Sequence, residues 1–194
     1  LNINGKTLKA GTFTVEAPLT ICGGGIIHSA FYIHKSVTVQ ETTLQADKGW
    51  VKEGGSLCIE QGATVTLVSV FPGGSLELKQ GTIGRLYVEN GGKASLSSGT
   101  VTQNLEVQGG NLLSILAEGK ALLLKADGTV IDGTRSAALG NMEIVDHTHT
   151  FGEGGKCACG AVVPIQVEAG TDSFYFGDFE SAVNKAMTLS GSTV

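Results

Sequence analysis

The chain has 194 residues, 29 of them glycine and 3 proline, and a formal net charge of −5. Glycine without a three-residue period excludes collagen. A negative balance with arginine only at Arg85 and Arg135 argues against a phosphate-binding surface and so against nucleic acid. No apolar run approaches the roughly 18 residues that a bilayer span needs. Four cysteines are too few for a disulfide scaffold of this length, so packing must hold the fold.

Residues 1–21 alternate apolar and polar positions in short runs, with Asn4-Gly5 as a turn. Gly23-Gly24-Gly25 interrupts the pattern, Ile26-Ile27 resumes it, and Val37-Thr38-Val39 is another short strand. Residues 40–53 are more polar and hold the single tryptophan, Trp50. A less regular lateral loop is expected there.

A clear repeat occupies residues 54 to about 135. Glycine pairs at Gly54-Gly55, Gly73-Gly74, Gly91-Gly92 and Gly109-Gly110 follow one another at steps of 19, 18 and 18 residues. The first three are followed by a short run with apolar residues on alternate positions, as in Ser75-Leu76-Glu77-Leu78, and Gly109-Gly110-Asn111-Leu112-Leu113 is a weaker fourth copy. Short strands with one apolar face bury little alone, and stacking copies buries that face continuously. The expected fold is therefore all-β, a right-handed parallel β-helix (solenoid). Alternation points Leu76, Leu78, Leu86, Val88, Leu105 and Val107 inward. It points Arg85, Tyr87 and Glu106 outward. Between Leu67 and Val70 both parities are apolar, so the register there stays open. The last coil is expected at Ala121–Leu124 and Asp127–Gly133, and each end of the stack needs a cap.

After residue 136 the glycine ladder stops. Val162–Val167 reads as a strand. Asp178 reads as the N-cap of a helix whose apolar face is Phe179, Ala182, Val183, Ala186 and Met187. Gly191 would end it before a strand at Ser192-Thr193-Val194. The absence of Met at Leu1 and the strand-like end lead us to expect a piece of a longer protein.

The motif Phe179-x-x-Ala182-Val183-x-x-Ala186-Met187 followed by Gly191-Ser192-Thr193-Val194 resembles the opening helix and first strand of a known module. It occurs in pectate-lyase-like β-helix repeats of large secreted or wall-anchored proteins of Gram-positive anaerobes. Leu1-Asn2-Ile3-Asn4-Gly5-Lys6-Thr7-Leu8 resembles a strand that follows soon after in such modules, departing from it at two positions. The resemblance implies an extracellular location, on the bacterial surface or secreted, and tandem neighbouring modules. Three segments are then expected. Residues 1–145 would be the parallel β-helix, 146–168 a His/Cys hairpin and linker, and 169–194 a capping helix and the start of a following module.

The strongest chemical signal is His147-Thr148-His149 followed by Cys157-Ala158-Cys159-Gly160. On a strand, positions i and i+2 share a face. The glycine-rich segment between the pairs can fold the cysteines back beside the histidines, about 5 Å apart at Cβ. Four N and S ligands suit a closed tetrahedral zinc, structural rather than catalytic. The other reading is reduced thiols with exposed histidines, or a disulfide. The anaerobe surface proteins often carry a His-x-His…Cys-x-Cys-Gly element between modules, which this stretch resembles.

Cys22 and Cys58 read as buried apolar residues, with a mutual disulfide as the alternative. His28 and His34 share no obvious face. Asp127 and Asp132 each precede glycine and read as turn residues, not as the carboxylate pair of a glycosidase. The chain is expected to be a non-catalytic binding or adhesin module engaging a host glycoprotein, immunoglobulin included. Trp50, Arg85, Tyr87 and Glu106 are the candidate contact residues. A passive spacer in a surface stalk and a β-helix carbohydrate lyase or hydrolase are the alternatives. The second rests on fold analogy alone.

Overall fold

The computed structural model describes residues 1–151, 155–162, 165–176 and 179–189. Residues 1–147 and 148–194 form two compact units. Asp178, Gly191 and Ser192–Val194, named above as a helix cap, a helix stop and a strand, lie outside the described residues.

The first unit is a β-solenoid of about six turns. One wall is built from β1 (Thr7–Val15), β3 (Ile26–Ile33), the pair β5 (Thr43–Gln45) and β6 (Gly49–Val51), β8 (Thr64–Val70), β10 (Thr82–Val88) and β12 (Gly99–Val107). The other wall is built from β2 (Leu19–Ile21), β4 (Ser36–Val39), β7 (Ser56–Ile59), β9 (Ser75–Leu78) and β11 (Lys93–Leu96). Each coil thus contributes to both walls, and all neighbours in this stack pair in parallel.

The core consists of single-residue ladders running up the stack. Ile21, Val39, Ile59, Leu78 and Leu96 lie in register, one per coil, and all are fully buried. Ile27, Leu44, Val65, Ile83 and Val101 form the matching ladder on the opposite wall. Each such side chain contributes about 1.5–3 kcal/mol on burial. Leu76, Leu78, Leu86, Val88, Leu105 and Val107 are all buried, as alternation requires. In β8 the inward positions are Val65, Val68 and Val70, so parity slips once and Leu67 is only half-buried. The slip explains why both parities are apolar there.

The glycine pairs are corners with two different duties. The first glycine of each, Gly54, Gly73 and Gly91, has a left-handed φ of 74°, 76° and 90°. The second closes the turn, with Gly55, Gly74 and Gly92 donating to Lys52, Phe71 and Glu89 carbonyls at 2.8–2.9 Å. A Cβ on Gly55, Gly74 or Gly92 would meet the Ile33, Val51 or Val70 oxygen of the preceding coil at 2.2, 2.6 and 2.4 Å. No side chain fits where the coils approach so closely.

Residues 40–53 are not a lateral loop. β5 and β6 are regular members of the wall, in register with β3 on one side and β8 on the other. Polar Asp47-Lys48 merely interrupts the strand. At that gap the Thr66 hydroxyl donates to the Ala46 carbonyl and accepts from the Ala46 N–H, both at 2.8 Å. A side chain thereby replaces a missing ladder partner, as a buried backbone requires.

The parallel stack also ends earlier than the expected last coil. After β12 and a 3-10 helix at Leu112–Ile115, only Leu96 and Leu116 bridge in parallel. β13 (Lys120–Leu124), β14 (Ala137–Leu139) and β15 (Met142–Asp146) then pair antiparallel. β14 and β15 lie along β12, and β13 along β15. Leu122, Met142 and Ile144 are buried against the core. An exposed row of β12 backbone groups needs a partner, and the chain supplies it by folding back.

In the second unit β16 (Ile165–Ala169) and β17 (Asp172–Phe176) form an antiparallel hairpin. It runs across position 168/169, the expected boundary between linker and capping helix. α1 (Phe179–Met187) packs on this hairpin. Ala182 is fully buried, and Val183 and Ala186 are half-buried. Met187 is 80% exposed and does not belong to the buried face.

Candidate metal centre and outer ladder

His147 directly follows β15, and its N–H donates to the Gly119 carbonyl at 2.8 Å. The strand end therefore fixes the first candidate ligand. On the cysteine side, Lys156 and Val162 form an antiparallel bridge. Inside it the Cys157 N–H donates to the Ala161 carbonyl at 2.8 Å and the Gly160 N–H to the Cys157 carbonyl at 2.9 Å. Gly160, at a φ of 89°, permits the tight return that turns both thiols inward. Cys157 and Cys159 are 6% and 1% exposed.

His147, His149, Cys157 and Cys159 each offer one ligand atom, and these atoms all lie within 4.8 Å of one another. Cys159 Sγ is 3.4 Å from His149 Nδ1. Zn–S near 2.3 Å and Zn–N near 2.0–2.1 Å at tetrahedral angles separate S and N by about 3.5 Å. The four residues named from sequence are thus brought together at a spacing that can hold a metal ion. Neither cysteine is joined in a disulfide. Burial pushes the Cys159 thiol up, and neighbouring Cys157 adds to this. An adjacent cation is what makes thiolate favourable in such surroundings. His149 also packs on Phe151, with ring centroids 5.7 Å apart.

The candidate contact residues fall on one face. Tyr32, Trp50, Ser69, Tyr87 and Glu106 lie in register on consecutive strands of the β1 wall. They alternate with buried neighbours, so the whole ladder faces outward. Arg85 stands two residues before Tyr87 on the same strand and is exposed.

Trp50 is not a free platform. Tyr32 and Phe71 approach it edge-on, at centroid distances of 5.0 and 5.7 Å. Lys52 Nζ lies 4.3 Å from the Trp50 ring and 3.6 Å from the Phe71 ring. These contacts hold the indole against the wall. Tyr32 and Phe71 escape sequence reasoning because they lie 18 and 21 residues from Trp50, whereas Lys52 is two residues away on the same face. Only a coil step near 18 residues, extended back through residues 32 and 50, would align the first with Trp50.

Cys22 and Cys58 are half-buried free thiols and form no disulfide. Cys58 lies between inward Leu57 and Ile59, so it points out, beside Glu60 and Glu77. Burial, more than these carboxylates, raises its pKa, with Lys79 opposing. His34 sits 4.0 Å from Glu16. Asp127 Oδ1 accepts from the Thr129 N–H and Asp132 Oδ1 from the Thr134 N–H, both at 2.9 Å. Each aspartate closes its own turn, as read from sequence.

No family model, curated protein or solved structure matches this chain.

Proposed function

We propose that the chain is a non-catalytic binding module of a bacterial surface or secreted protein. Its outer ladder engages a host glycoprotein, with immunoglobulin among the candidates. The observation that carries this reading is the in-register array Tyr32–Trp50–Ser69–Tyr87–Glu106. A rigid wall presents large and polar groups at the strand spacing of about 4.8 Å, and solenoids bind through such extended faces. Aromatic residues and Arg85 are the types that anchor protein interfaces.

The His/Cys group serves this module as a structural zinc site. All four positions of a tetrahedral ion would be taken by protein, which leaves none for water or substrate. The resident ion would order its own segment, where Phe151 is the only aromatic residue between 147 and 160.

Capture from serum and mucosal secretions on immobilised protein tests the reading. Enrichment of a glycoprotein that Arg85→Ala and Tyr87→Ala abolish supports it. Failure to retain any glycoprotein favours the passive spacer. Release of unsaturated sugar products from a uronate polymer favours the lyase.

A further inference from the structure

Two irregularities of the β1 wall coincide. β1 carries a register shift between Lys9 and Thr12 opposite β3, and the next coil is interrupted between β5 and β6. Both flank Ser29 and Ala30 of β3. The result is a groove of about 580 Å³ in an otherwise regular face, within the range of about 300–1,000 Å³ for small-molecule sites. Small residues, Gly11, Ser29 and Ala30, are part of its lining. His28, Tyr32, Gln45, Asp47 and Lys48 surround it.

His28 and Gln45 are register partners on adjacent strands, and both point outward by alternation. Among the described residues, the side chains of His28, Gln45 and Asp47 make no hydrogen bond or ion pair. Their donors and acceptors are free for a ligand. Asp47 and Lys48 contribute opposite charges, and no other acidic or basic residue lines the groove apart from His28.

We infer that this groove binds one neutral sugar residue of a glycan. This rests on the reading of the chain as a glycoprotein-binding module and names the chemistry that the module recognises. A sugar hydroxyl both donates and accepts, which matches the mixture offered here. Gln45 does both, Asp47 accepts, and Lys48 donates. The apolar C–H face of the ring packs on Tyr32 and Ala30. An anionic sugar gains from Lys48 and is repelled by Asp47, so charge supplies no net attraction. A groove open on its outer side suits a terminal residue, with the remaining glycan in solvent. The small contact area places Kd on the order of millimolar.

Titration of the whole chain with methyl glycosides of galactose, glucose, mannose and N-acetylglucosamine tests the inference. Glucuronate and a sulfated monosaccharide serve as anionic probes. The single tryptophan, Trp50, reports through its contact with Tyr32. We expect a saturable fluorescence change with at least one neutral glycoside at about 10 mM or below. Gln45→Ala and Asp47→Ala should weaken it at least fivefold, and Lys93→Ala, exposed on the opposite wall, should not. Both groove positions are exposed, so unchanged melting of the variants confirms that folding is intact. Saturable binding of the anionic probes alone, no saturable binding, or wild-type binding by both groove variants overturns the inference. Glycoprotein capture that survives enzymatic removal of its glycans also overturns it and leaves the adhesin reading standing. Binding of a free glycoside without capture of any glycoprotein has the opposite meaning, supporting the groove and removing the adhesin reading.

Discussion

Cys159 Sγ lies 3.4 Å from His149 Nδ1, the separation that two adjacent ligands of a tetrahedral zinc adopt. Purified, untagged protein never exposed to chelator should carry about one zinc per chain. Cys157→Ser should lower its affinity sharply. Less than about 0.2 zinc per chain with all thiols reduced would refute the site, since the ligand is thiolate.

Metal removal should act locally. Binding energy at a structural site is folding energy for the segment that forms it. Chelation should raise protease cleavage within residues 147–160 while the solenoid melts almost unchanged. Acid should act in the same direction. Metal binding releases the ligands' protons, so affinity falls as pH drops. Zinc release followed with a colorimetric chelator across pH 5–8 checks the sign.

Leu86 has Val68 on one side and Leu105 on the other, in one buried ladder. Leu86→Ala should cost about 2–5 kcal/mol. Leu86→Asp should prevent folding of the solenoid, because it buries an unpaired charge. Denaturant titration separates the two, and near-wild-type stability of the aspartate variant would contradict the packing.

The corner glycines should differ by mechanism. At Gly128 the φ is 74°, and a Cβ there would meet nothing within 4 Å. Alanine at that position suffers only the left-handed backbone, about 1–2 kcal/mol. At Gly74 alanine drives its Cβ onto the Val51 oxygen, 2.6 Å away. Gly74→Ala should therefore be the more damaging substitution, although Gly74 itself has no positive φ. Equal melting temperatures for the two variants would show that the corners can spread apart.

Catalysis is not expected. Asp127 and Asp132 are each committed to a local turn, and the hydrogen bond from Thr129 holds the Asp127 carboxyl below its usual range. Asp127 thus lacks the raised pKa of a general acid. Incubation with pectin, other uronate polymers and common glycans should yield no new reducing or unsaturated ends, with and without added calcium.

The solenoid was legible wherever one residue type recurred at one step. Gly54, Gly73 and Gly91 announce the coil because their left-handed φ favours glycine, and Leu78 and Leu96 announce the wall. The His/Cys group was legible because its ligands are close in the chain. Residues 40–53 were not, since Asp47-Lys48 breaks the alternation and Gly49 stands where Phe31 stands one coil before. The Thr66 hydroxyl, whose partner Ala46 is 20 residues away, and the Phe31 N–H, which donates to the Lys48 carbonyl, restore continuity there. The antiparallel cap was also hidden. Leu122 to Leu124 look like another coil, and the direction of a strand leaves no trace in its alternation.

Thr66 has a further consequence for how such a chain can change over time. The register from Ile26 to Thr43 to Thr64 advances by 17 and then 21 residues. Beyond the gap the steps are 18 from Phe31 to Gly49 and 19 from Trp50 to Ser69, so the gap takes up most of the offset. The gap is thus the joint at which the coil adjusts its length. Residues can enter or leave between Ala46 and Gly49 while the coils on either side keep their alignment. Surface variety can accumulate there, beside the groove, without renegotiating the stack.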